Sequence, residues 1–175
     1  MKRKIYSDEI VFVTLTVVDW IDVFTRRIYC DCIIRNLGYC KNFKGLQVFA
    51  YVIMTNHLHL IVGTDDGSIS NILRDFKTFT SKELVKLIRH NSLESRKQWL
   101  LERFYLHGNR NSANSKHQLW QNGSYPVALY SEKVIRQKVN YIHENPVRSG
   151  FVDRPENFYY SSANPGNPLR VQFRY

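Results

Sequence analysis

Residues 46–63 carry two runs, LQVFAYVIM and HLHLIVG, dense in β-branched and aromatic residues and separated only by Thr55 and Asn56. Each run reads as a strand, and Asn56 suits a tight turn between them. Around this pair lie another strand-like run, IVFVTLTVV at 10–18, and two stretches of helical period. The first, 25–43, places Tyr29, Ile33, Leu37 and Cys40 on one side, with Thr25 as the expected N-cap. The second, 69–90, aligns Ile69, Ile72, Leu73, Phe76, Thr80, Leu84, Leu87 and Ile88. The order strand, helix, strand, strand, helix opens a ferredoxin-like split unit. The expected fold is therefore α+β, an antiparallel sheet with helices on one face.

The second half is less regular. A helix is expected over 93–106, containing Trp99 and Phe104, then an exposed polar loop, HGNRNSANSKH, at 107–117. LWQNGSYPVALY at 119–130 reads as a short strand or hairpin around Asn122-Gly123. Helical period returns over 131–145, with Ser131 as N-cap, Ile135, Val139 and Ile142 inward, and Pro146 as the stop. The expected division is one domain over 1–152 and a C-terminal surface extension over 153–175. A chain of 175 residues is long enough for one such core. No run of 18 apolar residues exists, so no membrane span is expected. Asp8 and Glu9 interrupt the apolar start, and no small-residue cleavage site follows, so no signal peptide is expected either. Cys30, Cys32 and Cys40 lie in one helical stretch without further soft ligands nearby. They read as free, reduced thiols of a cytoplasmic protein.

The formal net charge of +10 favours a polyanionic partner, nucleic acid or an anionic membrane face. The polar side of 69–90 concentrates Arg74, Lys77, Lys82, Lys86 and Arg89. That face could track a phosphate backbone or simply be solvated. Arg110, Lys116 and His117 stand in the polar loop, where they could contact a DNA stem. Trp120, Tyr125 and Tyr130 are candidate stacking platforms, with core packing the alternative for Trp120.

Two segments carry chemistry. On a strand, residues i and i+2 share a face, so His57 and His59 project together about 6.5–7 Å apart at the backbone. Leu58, Leu60 and Val62 take the opposite face and anchor the strand. Two such imidazoles can share one divalent ion, or can be ordinary hydrogen-bonded histidines. In KVNYIHENPVRSG, at 138–150, Tyr141 and Asn145 are four apart and lie on one helix face, with Lys138 a turn earlier. Tyr141 falls well off the apolar stripe and is available for chemistry, although a surface tyrosine beside a helix end fits this segment equally.

Taken in order, AYVIMTNHLHLIV at 50–62, LWQNGSYP at 119–126, NYIHENPVRSGFV at 140–152 and YYSSA at 159–163 resemble the REP-associated tyrosine transposases. That group belongs to the single-tyrosine HUH endonuclease superfamily. One departure is Thr55, where the family usually has proline. The resemblance implies a ferredoxin-like domain that cuts and rejoins single-stranded, hairpin-forming DNA, mobilising or processing repeated palindromic elements. It implies Tyr141 as nucleophile and His57, His59 and Asn145 as ligands of a divalent metal ion. It leaves open a monomer or a homodimer, in a bacterial cytoplasm.

The chemistry of the residues is compatible. Phosphodiester cleavage needs an in-line nucleophile and a means of offsetting charge on the non-bridging oxygens. Two imidazoles suit Mn2+ at least as well as Mg2+. A 5′-phosphotyrosine conserves the energy of the broken bond, so no nucleotide cofactor is needed. A free phenol, with a pKa of about 10, is a weak nucleophile at neutral pH. Lys138 is expected to help form phenolate, and Arg148 to hold a phosphate. Three rivals are a small-molecule metallohydrolase, a domesticated hairpin-DNA-binding protein without strand transfer, and a replication initiator or relaxase-type nickase. The first would need more ligands and a larger barrel.

Overall fold

The computed structural model describes residues 9–64, 68–110 and 116–172. Four strands, β1 (Val11–Thr16), β2 (Leu46–Ile53), β3 (His57–Thr64) and β4 (Val127–Ala128), form one antiparallel sheet in the order β2-β3-β1-β4. The helices are α1 (Arg27–Phe43), α2 (Ile69–His90), α3 (Lys97–Asn109) and α4 (Glu132–Arg148). This is the strand order of the expected ferredoxin-like unit, with α3 and α4 added to it.

The sheet has two different faces because β1 and β3 alternate. Val11, Val13 and Leu15 of β1 and Leu58, Leu60 and Val62 of β3 point to one side. There they join Ile33 and Leu37 of α1 and Ile72, Leu73 and Phe76 of α2 in the larger core. On the other side Phe49, Ala50, Val52 and Ile61 meet Ile135 and Ile142 of α4, with Phe12 and Tyr141 packed at the margin. Helices therefore cover both faces, not one as expected. The reason is legible in β2, whose residues are buried at every position and do not alternate; such a strand needs cover on both sides.

Boundaries differ where local capping decides them. Ser68 caps α2, its Oγ accepting from the Asn71 N–H at 3.4 Å. Thr25 does not cap α1, which begins after Arg26; its Oγ1 instead accepts from Arg96 at 3.2 Å. α3 starts later than expected and absorbs residues 107–109 of the polar stretch. Residues 111–115 of that stretch lie outside the described residues, as do 1–8 of the leader reading. No hairpin forms at Asn122-Gly123. Lys77 Nζ donates to the carbonyls of Gln121 at 2.7 Å and Gly123 at 3.2 Å, which holds that stretch as a separate segment before the two-residue β4. Among the described residues, no helix is long and apolar enough to cross a membrane.

Pro146 does not stop α4, which continues to Arg148. The helix closes on a Schellman cap. The Phe151 N–H bonds to the Pro146 carbonyl and the Gly150 N–H to the Val147 carbonyl, both at 2.9 Å. Gly150 has φ 74, the left-handed conformation that this cap requires. The tail, expected as a surface extension, runs along the outer edge of β2. Ile53 N–H bonds to Tyr160 O, Ser162 N–H to Tyr51 O and Gln172 N–H to Val48 O. Ser161 and Leu169 are buried there. The tail thus covers what would otherwise be a bare sheet edge.

One buried carboxylate ties the helical layer together. The Glu94 side chain has no exposure and receives Arg26 Nε at 2.8 Å, Tyr29 Oη at 3.2 Å and Arg96 Nε at 3.3 Å. Burial alone would raise its pKa, but these donors outweigh burial and hold it below the ordinary carboxylate value. Its contribution to stability is therefore complete above the unfolded-state pKa and is lost as pH falls through the lower folded-state pKa. Glu94→Ala strands two cations, and is expected to cost about 3 kcal/mol in urea unfolding at pH 7. Arg35→Ala breaks the exposed pair with Glu83 and should cost less than about 1 kcal/mol.

Candidate active site

The alternation of β3 turns His57 and His59 onto the α4 side of the sheet, and the Cα register pairs them with Thr16 and Thr14 of β1. Their rings stand 4.7 Å apart. Each is held through Nδ1. His59 Nδ1 lies 2.8 Å from Thr14 Oγ1. His57 Nδ1 lies 2.7 Å from Asn56 Oδ1. The Asn56 amide is oriented in turn by Asp22, whose Oδ1 accepts from Asn56 Nδ2 at 3.1 Å. Because Asn56 Oδ1 can only accept, His57 carries its proton on Nδ1, and Nε2 presents a lone pair. Thr14 allows the same tautomer at His59. Neither Nε2 has a hydrogen bond to the described residues.

Burial lowers the pKa of His57. Burial, with the neighbouring His57 and Lys138 charges, pushes His59 down to about 3. Both are neutral imidazoles at physiological pH, the protonation state a metal ligand requires.

Tyr141 enters from α4. Its ring is 5.4 Å from that of His59 and 6.0 Å from that of Phe12. Lys138 Nζ is 5.4 Å from the Tyr141 ring centroid and Arg148 Cζ is 5.6 Å from it. Two cations thus flank the phenol, in place to offset negative charge developing there. The Tyr141 hydroxyl makes no hydrogen bond to the described residues. Asn145 sits one turn further along α4, half-buried, and its amide likewise has no such bond. Among the described residues, no hydrogen bond joins Asn145 to either histidine. His143 bonds Ser162 Oγ at 2.9 Å. Among the described residues, no cluster of three or more His, Cys, Asp or Glu forms a metal cage. A cleft of about 310 Å3 opens beside the site, floored by Phe12, Thr14 and Thr16 and walled by Gln121 to Tyr125.

The other expected contacts divide. Trp120 is core: it stacks on Phe24 at 5.7 Å and its Nε1 donates to Thr80 Oγ1 at 2.9 Å. Lys77 is committed to its two carbonyls and is not a free phosphate contact. Arg74 is exposed on α2, which packs against the opposite face of the sheet from the histidines, and its Nη2 meets Asp75 at 3.3 Å. Arg110 and Lys116, before and after residues 111–115, are exposed. The three cysteines are free and buried, and burial pushes Cys30 and Cys32 up to about 12 and Cys40 to about 11.

Sequence reasoning missed Thr14, Asn56, Asp22 and Trp20. Asn56 reads as a turn residue from its place between two strands, yet it stands directly before the first histidine. Thr14 falls on the same alternation that exposes Phe12, and its pairing with His59 follows only from the strand register. The Trp20 ring, 5.9 Å from that of His57, comes from an irregular segment without a periodic signal.

No family model and no curated protein matches the sequence. Solved structures do match. One, described as a REP-associated tyrosine transposase bound to a REP hairpin, superposes with a TM-score of 0.64 at 18% identity. The match covers 93% of this chain and 81% of that one. The chain has the fold of a REP-associated tyrosine transposase. A candidate transposase from Deinococcus radiodurans overlaps more loosely, with a TM-score of 0.47 at 16% identity over 82% of this chain and 96% of that one.

The lowered histidine values predict a pH dependence. Below the ordinary value of 6.5 the unfolded chain binds protons that buried His59 does not, so stability falls as pH drops from about 6.5 toward 4. Urea unfolding with a chelator present should show this slope, and His59→Gln should flatten it. In NMR titration, His59 should remain neutral at pH 5.

Proposed function

We propose that this protein is a tyrosine-dependent endonuclease and transposase of single-stranded, hairpin-forming DNA, of the REP-associated group. The observation that carries the reading is the placement of Tyr141 against the His57–His59 pair, flanked by Lys138 and Arg148. The shared fold makes DNA the reasonable substrate, and the net charge of +10 agrees with a phosphate backbone as partner.

The donor set fits a divalent ion. Two neutral imidazoles offer Nε2 lone pairs, each ring fixed through Nδ1 by an outer hydrogen bond, the arrangement that orients metal-bound histidines. With no third His, Cys or carboxylate among the described residues, the remaining positions fall to the Asn145 amide, water and phosphate. Held by His57, His59 and Asn145, Mg2+ or Mn2+ would supply charge neutralisation for the non-bridging phosphate oxygens.

The protein's own residues do the rest. Tyr141 Oη attacks phosphorus in line, forming the Oη–P bond as the P–O3′ bond breaks. The phenolic proton leaves toward solvent or the departing 3′-oxygen, giving a 5′-phosphotyrosine and a free 3′-OH. Lys138 and Arg148 offset phenolate and phosphate charge. A 3′-OH attacking the same phosphorus reverses the step and rejoins strands, so no nucleotide cofactor is consumed.

A labelled hairpin oligonucleotide with Mn2+ or Mg2+, run on a denaturing gel, tests the reading. A covalent protein–DNA adduct is expected, absent in Tyr141→Phe and reduced at least 100-fold in His59→Ala. Binding without adduct under either metal would favour the domesticated DNA-binding alternative. Lys138→Ala should slow cleavage most at low pH within the range 6–9; a wild-type profile there would remove Lys138 from the mechanism.

A further inference from the structure

A second cleft, of about 760 Å3, lies beyond the histidines and is lined by Asp19, Trp20, Ile21, Asp22, Arg96, Trp99 and Arg103. Its two indoles are unusually open: Trp20 is 58% and Trp99 44% exposed. Large aromatic surface in water is unfavourable and needs a reason. The backbone is arranged to present one of them. Asp19 and Trp20 are consecutive non-glycine residues at φ 53 and φ 54, a left-handed conformation that side chains disfavour. The turn is retained by the Trp20 N–H to Val17 O bond and by Asp19, whose Oδ2 meets His107 Nε2 at 2.7 Å.

Position gives this cleft its meaning. The rings of Tyr141, His59, His57 and Trp20 follow one another at 5.4, 4.7 and 5.9 Å. The cleft therefore continues the active site on the side away from Tyr141. Its cations have different duties. Arg96 is committed to Glu94, Asp22 O and Thr25. Arg103 lies 5.9 Å from the Trp99 ring centroid and has no hydrogen bond or ion pair with the described residues.

The geometry points to a nucleobase-stacking site. An unpaired nucleotide flanking the scissile phosphate stacks its base on Trp20 and Trp99, and Arg103 takes an adjoining phosphate. Base faces of any sequence stack on indole, whereas the sugar-phosphate chain does not. This rests on the single-strand substrate proposed above, but its test does not need catalysis.

The full chain, in EDTA, is titrated with a mixed-sequence single-stranded decanucleotide while tryptophan emission is read. The chain has three tryptophans, and Trp120 is buried, so quenching reports Trp20 and Trp99. The base-bearing strand should quench, and an abasic decanucleotide should not. Trp20→Ala/Trp99→Ala should bind the base-bearing strand at least tenfold more weakly with an unchanged urea midpoint. Arg103→Ala should lower the slope of log affinity against log salt by about 0.7, one phosphate's worth. Equal quenching by both strands, or equal affinity in the double variant, would overturn the site. The adduct assay separates the two ideas. Adduct formation with base-independent binding sinks the stacking site alone, and base-dependent quenching without any adduct sinks the catalytic reading alone.

Discussion

The pairing of β3 with β1, in the register that sets His59 opposite Thr14, is the constraint on which the site depends. A slip of one residue would send His57 and His59 into the α1–α2 core and turn Leu58 and Leu60 outward. The leucines, isoleucines and valines of the larger core forbid that slip by burial. The Thr14–His59 hydrogen bond selects the same register from the polar side. Packing and chemistry thus agree on one alignment, and the histidines stand on a floor that cannot shift without unfolding the sheet.

The other half of the site depends on α4 extending past its proline. Had α4 stopped at Asn145, Arg148 would not lie on the helix beside Tyr141. The Schellman cap at Gly150 keeps the last turn helical, and so the N-P-V-R-x-G run is a helix ending rather than a turn. Pro146 has no backbone N–H, so the bond to the Ile142 carbonyl four residues earlier is not made. It is buried there and contributes apolar surface. Ile135 and Ile142 seat the helix on β2 and β3, which leaves Tyr141 at the margin of that apolar contact, half-buried and facing the histidines.

Much of this was legible in the chain. The strand order of the sheet followed from the order of β-rich and helical stretches, and α2 from its apolar period. The projection of His57 and His59 followed from alternation, and the shared helix face of Tyr141, Asn145 and Lys138 from their spacing, whereas Arg148 lay beyond the expected stop at Pro146. What stayed hidden was contact between distant segments. Lys77 looked like a surface charge because nothing local shows the carbonyls of Gln121 and Gly123 that hold it. Trp120 read as either a stacking platform or a core residue, and its partner, Thr80, forty residues away, decides for the core. Asn56, Asp22 and Thr14 read as turn, loop and strand residues until the fold set them behind the imidazoles. The tail seemed superficial because its bonds to β2 are made by the backbone, which leaves little mark in side-chain pattern.

The protein's charge is divided accordingly. Cations such as Lys77 of α2 and Arg96, just before α3, enter carbonyl bonds and ion pairs that stabilise the fold, whereas Lys138 and Arg148 have no hydrogen bond or ion pair among the described residues and lie beside the Tyr141 ring, available for a phosphate. The most direct test of the central claim is chemical mapping of the DNA-linked residue. After reaction with a single-stranded hairpin and Mn2+, tryptic peptides are sequenced by mass spectrometry. The account predicts nucleotide mass on the peptide spanning residues 139–148, attached through phosphate to Tyr141. A cut strand with no protein-linked nucleotide, or the nucleotide on Tyr125 or any other residue, would contradict it.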